Sequence, residues 1–222
     1  MSDFTTGPGH DGGHPFLVSP TLRSRPEAVV LVLHGGAEHS TDRTTKWAPP
    51  VLRMLPFARD LRRRSRGRLA PYVLRDAVRG YNDDKRSPVV DARWALERIR
   101  ELHPGRPVGL LGHSMGGRVA LELAGSDGVE AVVGLAPWVP EQYDVTPFLD
   151  LHTLLLHGSH DRVTDPRETK KLAARIAAAG GDARFESLPD WHAMLRRSRS
   201  WHRLSSQFLE KALLPARGIG DS

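Results

Sequence analysis

The sequence predicts one α/β domain: a mainly parallel central sheet with helices on both faces. Three observations predict it. Short runs that are apolar on consecutive residues recur along the chain, as strands buried on both faces require. Segments with helical spacing of apolar residues alternate with those runs, which implies βαβ units with right-handed crossovers. The 222 residues suffice for one sizeable core, and 39% apolar with 26% charged residues is an ordinary globular balance.

The first buried run is "AVVLVLHGG", Ala28 to Gly36, a near-continuous apolar run rich in β-branched valine and closed by glycines. "APYVLRDA" (Ala70 to Ala77) and "PVGLLGH" (Pro107 to His113) follow, then "VEAVVGLAP" (Val129 to Pro137), "HTLLLHG" (His152 to Gly158) and "ARFESLP" (Ala183 to Pro189). Between them, Val51, Leu52, Leu55, Ala58 and Leu61 share a helical face, interrupted by Pro56, so two pieces or a kinked helix are expected there. Val90, Trp94, Leu96 and Ile99 mark a second helix. In "DPRETKKLAARIAAAGG", Asp165 reads as the N-cap, Pro166 as the first helical residue and Gly180 as the stop. Residues 1–15, rich in Gly, Pro, His and Thr, read as a flexible lead-in, 16–213 as the domain, and 214–222 as a flexible tail.

Composition narrows the chemistry. With no cysteine there is no disulfide, thiolate ligand or cysteine nucleophile. His10, His14, His34 and His39 show no metal-ligand spacing, so no metal is expected. Neither a phosphate loop nor a dinucleotide fingerprint follows a strand, so no cofactor is implied. The net charge is +6, and the densest basic cluster is Arg59 to Arg68. It reads as the polar face and C-terminal end of a surface helix rather than a nucleic-acid site. No signal-peptide core and no membrane-length apolar run is present, so a cytoplasmic protein with no membrane partner is expected. Oligomeric state is not legible.

The chemistry concentrates in "VGLLGHSMGGRVALELA", Val108 to Ala124. Gly112 and Gly116 flank Ser114 as G-x-S-x-G, between a strand and a helix starting near Met115. Glycines there admit a sharp strand-to-helix turn that lifts the hydroxyl clear of the sheet. A free serine hydroxyl is a weak nucleophile and needs a base. His113 is unsuited, because adjacent strand side chains point to opposite sides. It reads as support for the turn or as a core histidine.

"GHSMGG" after one strand, "LHGG" after an earlier one and "LHGSHDRVTDP" after a later one resemble the α/β-hydrolase fold family over about Ala28 to Leu209. The resemblance implies a serine hydrolase with a Ser114–Asp161–His192 triad in the order serine, acid, histidine. Asp161 closes G-x-x-D after the penultimate strand, and His192 in "LPDWHAML" follows the last. His157 and His202 are less well placed. The oxyanion hole is expected from the backbone amides of Met115 and Gly36, with Ala37 the near alternative to Gly36. The linker Trp138 to Asp150 is too short for a cap domain, so little or no lid is expected. Ala37, Tyr81, Trp138 and Trp191 are the candidate substrate-binding residues. Tyr81, Trp138 and Trp191, with Met115 and Met194, are read as an apolar wall. The expected substrate is a small carboxylic ester or thioester. A perhydrolase, an amide or C–C hydrolase, or a non-catalytic binding protein could share the same residues.

Overall fold

The computed structural model describes residues 4–22, 24–140 and 143–215. The ends of the expected lead-in and tail (1–3 and 216–222) and two linker residues (141–142) lie outside them. The strands are β1 (Phe4–Thr6), β2 (Phe16–Val18), β3 (Ala28–Leu33), β4 (Leu69–Arg75), β5 (Val108–His113), β6 (Val129–Leu135), β7 (His152–Gly158) and β8 (Asp182–Leu188). The helices are α1 (Pro49–Arg64), α2 (Ser87–Leu102), α3 (Met115–Glu122), α4 (Pro166–Ala178) and α5 (Ser198–Leu213). They build one sheet of order β1-β2-β4-β3-β5-β6-β7-β8, parallel from β4 to β8 and antiparallel at β1 and β2.

Strand alternation divides the interior into two cores. Val29, Leu31 and Leu33 of β3 face one core, with α2, α3 and α4 packed against it. Ala28, Val30 and Val32 face the other, covered by α1 and α5. Every residue of β3 is therefore buried, which is why its sequence is apolar without alternation.

Two elements differ from the sequence expectation. Pro56 does not split α1, which runs unbroken from Pro49 to Arg64. Proline leaves the carbonyl four residues back without a partner. That residue, Leu52, lies on the exposed side, where water can take the vacancy. Residues 4–15 begin with a strand: β1 pairs with β2, and His10 bridges to Gly13. Strands of three residues among glycines carry no readable periodicity. The basic cluster sits at the end of α1 as expected, with Arg63 and Arg64 bonded to buried Asp60 and Arg68 to Glu27.

Strand order reverses beside β3, since the chain passes from β3 to β4 on one side and returns to β5 on the other. Loops leaving β3 and β5 at their carboxyl ends diverge there and leave a crevice, the usual ligand position in such sheets. The β3 loop is His34–Ala37, and the β5 loop is the Ser114 turn.

Candidate active site

Ser114 has φ 55° and ψ −116°, a conformation that side-chain-bearing residues rarely adopt. Its surroundings hold it there. Its amide donates to the Leu135 carbonyl at 2.9 Å, and its carbonyl accepts from the amides of Arg118 and Trp138. Tight contacts explain the flanking glycines. A Cβ on Gly112 would lie 2.0 Å from the Gly116 carbonyl oxygen, and one on Gly116 would lie 2.5 Å from the His34 carbonyl oxygen. Both are backbone collisions, so the turn is compatible only with glycine at these positions.

His192 lies on the loop after β8, its Nε2 3.0 Å from Ser114 Oγ and its Nδ1 2.7 Å from Asp161 Oδ2. With Nδ1–H donating to the carboxylate, Nε2 carries a lone pair toward the serine hydroxyl. Asp161 has no exposed side-chain surface. Burial pushes its pKa up, but hydrogen bonds from His157, His192 and the Val163 amide outweigh burial and hold the carboxyl far below the usual range. The structure thus brings together the three side chains singled out in the sequence, and Asp165 instead caps α4 by accepting from the Arg167 amide.

The supporting groups were not legible as such. His157, fully buried at the end of β7, places Nε2 3.1 Å from Asp161 Oδ2 and Nδ1 2.8 Å from Thr169 Oγ1 of α4. Asp190, two residues before His192, accepts from the amides of Trp191, Arg196 and Arg197 and from Trp201 Nε1, which closes the loop carrying His192. Burial raises the Asp190 pKa, but these four donors lower it further. His113 points away from the Ser114 hydroxyl and donates from Nε2 to the His192 carbonyl at 3.0 Å. Burial and the nearby His192 push its pKa down to about 3, so it is neutral. His202 packs edge-on against Phe57.

The β3 loop borders the serine. A Cβ on Gly35 would lie 3.4 Å from Ser114 Cβ, and one on Gly36 would meet the Met115 side chain at 2.5 Å. The Ala37 amide donates to the Arg79 carbonyl at 2.8 Å, which removes it as an oxyanion donor. Among the described residues the Gly36 amide has no such partner. The Met115 amide opens α3, where the first turn has no intrahelical acceptor.

The expected apolar wall needs correction. Met115 and Met194 are buried in the two cores. Tyr81 is buried too, and its hydroxyl donates to Glu122. The Arg118 guanidinium stacks 4.1 Å from the Tyr81 ring and 4.3 Å from the Trp138 ring. Those aromatics line a cleft of about 790 Å³ whose rim carries Glu38, Asp83, Asp84 and Asp144, so this side is charged. Trp191 is 48% exposed on the far side, beside His160.

The fold matches known structures. Est1E from Butyrivibrio proteoclasticus superposes with a TM-score of 0.72 at 13% identity, over 95% of this chain and 99% of that one. The Pyrococcus furiosus esterase Pf2001 gives 0.74 at 12% identity, over 96% and 92%. XC6422 from Xanthomonas campestris, described as an α/β serine hydrolase without lid, gives 0.74 at 18% identity, over 97% of each chain. The chain has the α/β-hydrolase fold. Residues 74–152 also match a family model described as serine aminopeptidase S33. That segment contains Ser114 but ends before Asp161 and His192, so these two rest on geometry. No curated protein matches the sequence. Between β6 and β7 the described residues hold only a single 3-10 turn, Thr146–Phe148, where a cap would insert. Among the described residues no cluster could hold a metal, and no helix is long and apolar enough to cross a membrane.

Proposed function

We propose that this α/β hydrolase cleaves a carboxylic ester or thioester through an acyl-enzyme on Ser114. The observation that carries the reading is the continuous Ser114 Oγ–His192 Nε2 and His192 Nδ1–Asp161 Oδ2 chain at 3.0 and 2.7 Å. His192 Nε2 takes the hydroxyl proton as Ser114 Oγ attacks the acyl carbon, and Asp161 stabilises the resulting imidazolium while remaining ionised. The amides of Met115 and Gly36 hold the tetrahedral oxyanion, a function whose loss from one donor typically slows reaction ~10²–10³-fold. His192 then protonates the departing alcohol or thiol. Water attacks the acyl-enzyme with the same base, and the serine is released.

One relative in fold, Pf2001, is described as an esterase, and the serine-aminopeptidase segment match leaves amide cleavage as the rival bond. The test is turnover of p-nitrophenyl butyrate and of an amino-acid p-nitroanilide by wild type and Ser114→Ala. Ester turnover and fluorophosphonate labelling, both abolished in Ser114→Ala, support the reading. Full ester turnover by Ser114→Ala, or turnover of the anilide alone, overturns it.

A further inference from the structure

Two clefts on the α1 side of the β3 loop are cationic, and unlike the arginine-lined cleft at the far end of α1 they lie against the loop that borders Ser114. One, of about 380 Å³, is walled by the backbone of Gly35, Gly36 and Ala37 together with Arg43, Trp47 and Arg79. The other, of about 730 Å³, continues past the shared residues Arg43, Thr44, Thr45 and Trp47 to Lys46, Arg75 and Phe16. Neither is lined by any aspartate or glutamate, in a chain holding 26 of them.

These cations are also unspent. Among the described residues Arg43, Lys46 and Arg75 form no ion pair, and Arg79 has only Asp42 at 3.6 Å. Arg43 Nε donates to the Gly12 carbonyl, which ties the segment before β2 to the trench wall. Arg75 lies 3.9 Å from the Phe16 ring, with its Nε buried and without a partner. The nearest carboxyls are engaged elsewhere. Asp91 accepts from His10 and the Ala77 amide, and Asp76, buried beside it, is pushed well up by burial and by Asp91. Across the loop the polarity reverses: Glu38, Asp83, Asp84 and Asp144 line the cleft there, and its two arginines, Arg86 and Arg118, are both paired with Glu122.

We propose that this cationic trench binds an anionic group, carboxylate or phosphate, on the substrate whose acyl carbon meets Ser114. The proposal rests on the hydrolase reading above and names the class of substrate within it. Gly35 lines the trench and also borders Ser114, so a molecule lying along the β3 loop reaches both the reaction centre and the cations. The acidic cleft repels the same group and sets the substrate's direction. Trp47, 70% exposed beside the trench, adds a face for an apolar or aromatic portion.

The experiment measures kcat/KM for two matched pairs. The first is p-nitrophenyl butyrate against mono-p-nitrophenyl glutarate, which adds a carboxylate to the acyl half. The second is the butyryl thioester of N-acetylcysteamine against butyryl-coenzyme A, which adds phosphates to the leaving half. The expected result is a preference of about tenfold or more for the anionic member of at least one pair. It should fall about 3–10-fold in each of Arg43→Gln and Arg75→Gln and shrink with added salt. Arg62→Gln, at the far end of α1, keeps the preference. Melting of Ser114→Ala with each probe reads binding without turnover: only the anionic member raises Tm, and Arg43→Gln removes the rise. Equal kcat/KM within both pairs, or a preference untouched by both arginine variants, overturns the proposal. So does a neutral probe that raises Tm as much as its anionic partner. Undiminished turnover by Ser114→Ala would instead overturn the hydrolase reading, whatever the charge preference.

Discussion

His157 provides the sharpest test of how the proposed acid is held. Its imidazole is fully buried between Asp161 and Thr169, donating to the carboxylate and accepting from the threonine hydroxyl. In His157→Leu both bonds vanish. A hydrogen bond to a charged group contributes about 1.5–3 kcal/mol, and a neutral one about 1 kcal/mol. The sum, about 2.5–4 kcal/mol, lowers Tm by roughly 5–16 °C in a chain of this size. The catalytic consequence has a definite sign. The His157 N–H draws on the same Oδ2 that faces His192. Without it, more negative charge remains to stabilise the imidazolium, so the acidic limb of the kcat/KM profile moves up in pH. The looser carboxylate also lowers kcat, by about tenfold if its disorder raises the barrier by about 1.4 kcal/mol. Gln at 157 can donate to Asp161 and accept from Thr169, so His157→Gln recovers most of the loss. Calorimetry and pH-rate profiles on p-nitrophenyl butyrate at a temperature where each variant is folded provide the readout. An acidic limb and kcat identical to wild type in His157→Leu would refute the reasoning, as would a glutamine variant no better than leucine.

Two further outcomes follow from backbone and charge. Gly112→Ala places a methyl 2.0 Å from a carbonyl oxygen that cannot swing away, so soluble folded protein is lost, whereas Gly128→Ala, with φ 70° but open space around it, costs only about 1–2 kcal/mol; comparable melting of both would contradict the elbow geometry. His34 and His113 are neutral, their pKa values pushed by burial from 6.5 to about 4 and about 3. A lowered base keeps its full contribution above pH 6.5 and loses it as pH falls from there, by about 1.4 kcal/mol per pH unit per proton. Asp76, raised by burial and by Asp91, works in the opposite direction above pH 3.8. Stability should therefore fall more steeply between pH 6 and 5 in Asp76→Asn than in wild type, read by urea unfolding, and an equal pH slope in the two proteins would be inconsistent with this balance.

Local pattern made the parallel core legible. β3 and β5 read as strands because both faces are covered, and the elbow read from two glycines and a serine at a strand end. The positions of Asp161 and His192 came with the family resemblance, since 78 residues separate His192 from Ser114 (192 − 114) and no local pattern spans that gap. β1 and β2 were illegible because three residues cannot show a period. His157 read as an ordinary strand end, and Asp190 as one acid among 26, because each owes its role to groups brought in by other elements. The apolar wall failed for a related reason. Aromatic residues at strand ends say nothing about neighbours, and Arg118, one helical turn after Ser114, takes the ring faces of Tyr81 and Trp138.

These supports explain why the serine conformation can persist. A non-glycine residue at φ 55° stores about 1–3 kcal/mol of strain, which the chain would release if any neighbouring loop yielded. None is free to do so independently. The Ser114 amide is tied to β6, and the His192 backbone is tied to β5 through His113. Asp161 is tied to β7 and α4 through His157 and Thr169. Ser114 and His192 are thus each fixed by an element other than the one that carries them, and Asp161 by both elements that flank its loop. Relaxing the elbow requires moving two central strands of a sheet buried on both faces, a larger penalty than the strain it would relieve. With no cap in the described residues to assemble the site on binding, that cross-bracing is what keeps Ser114 and His192 at 3.0 Å before any substrate arrives.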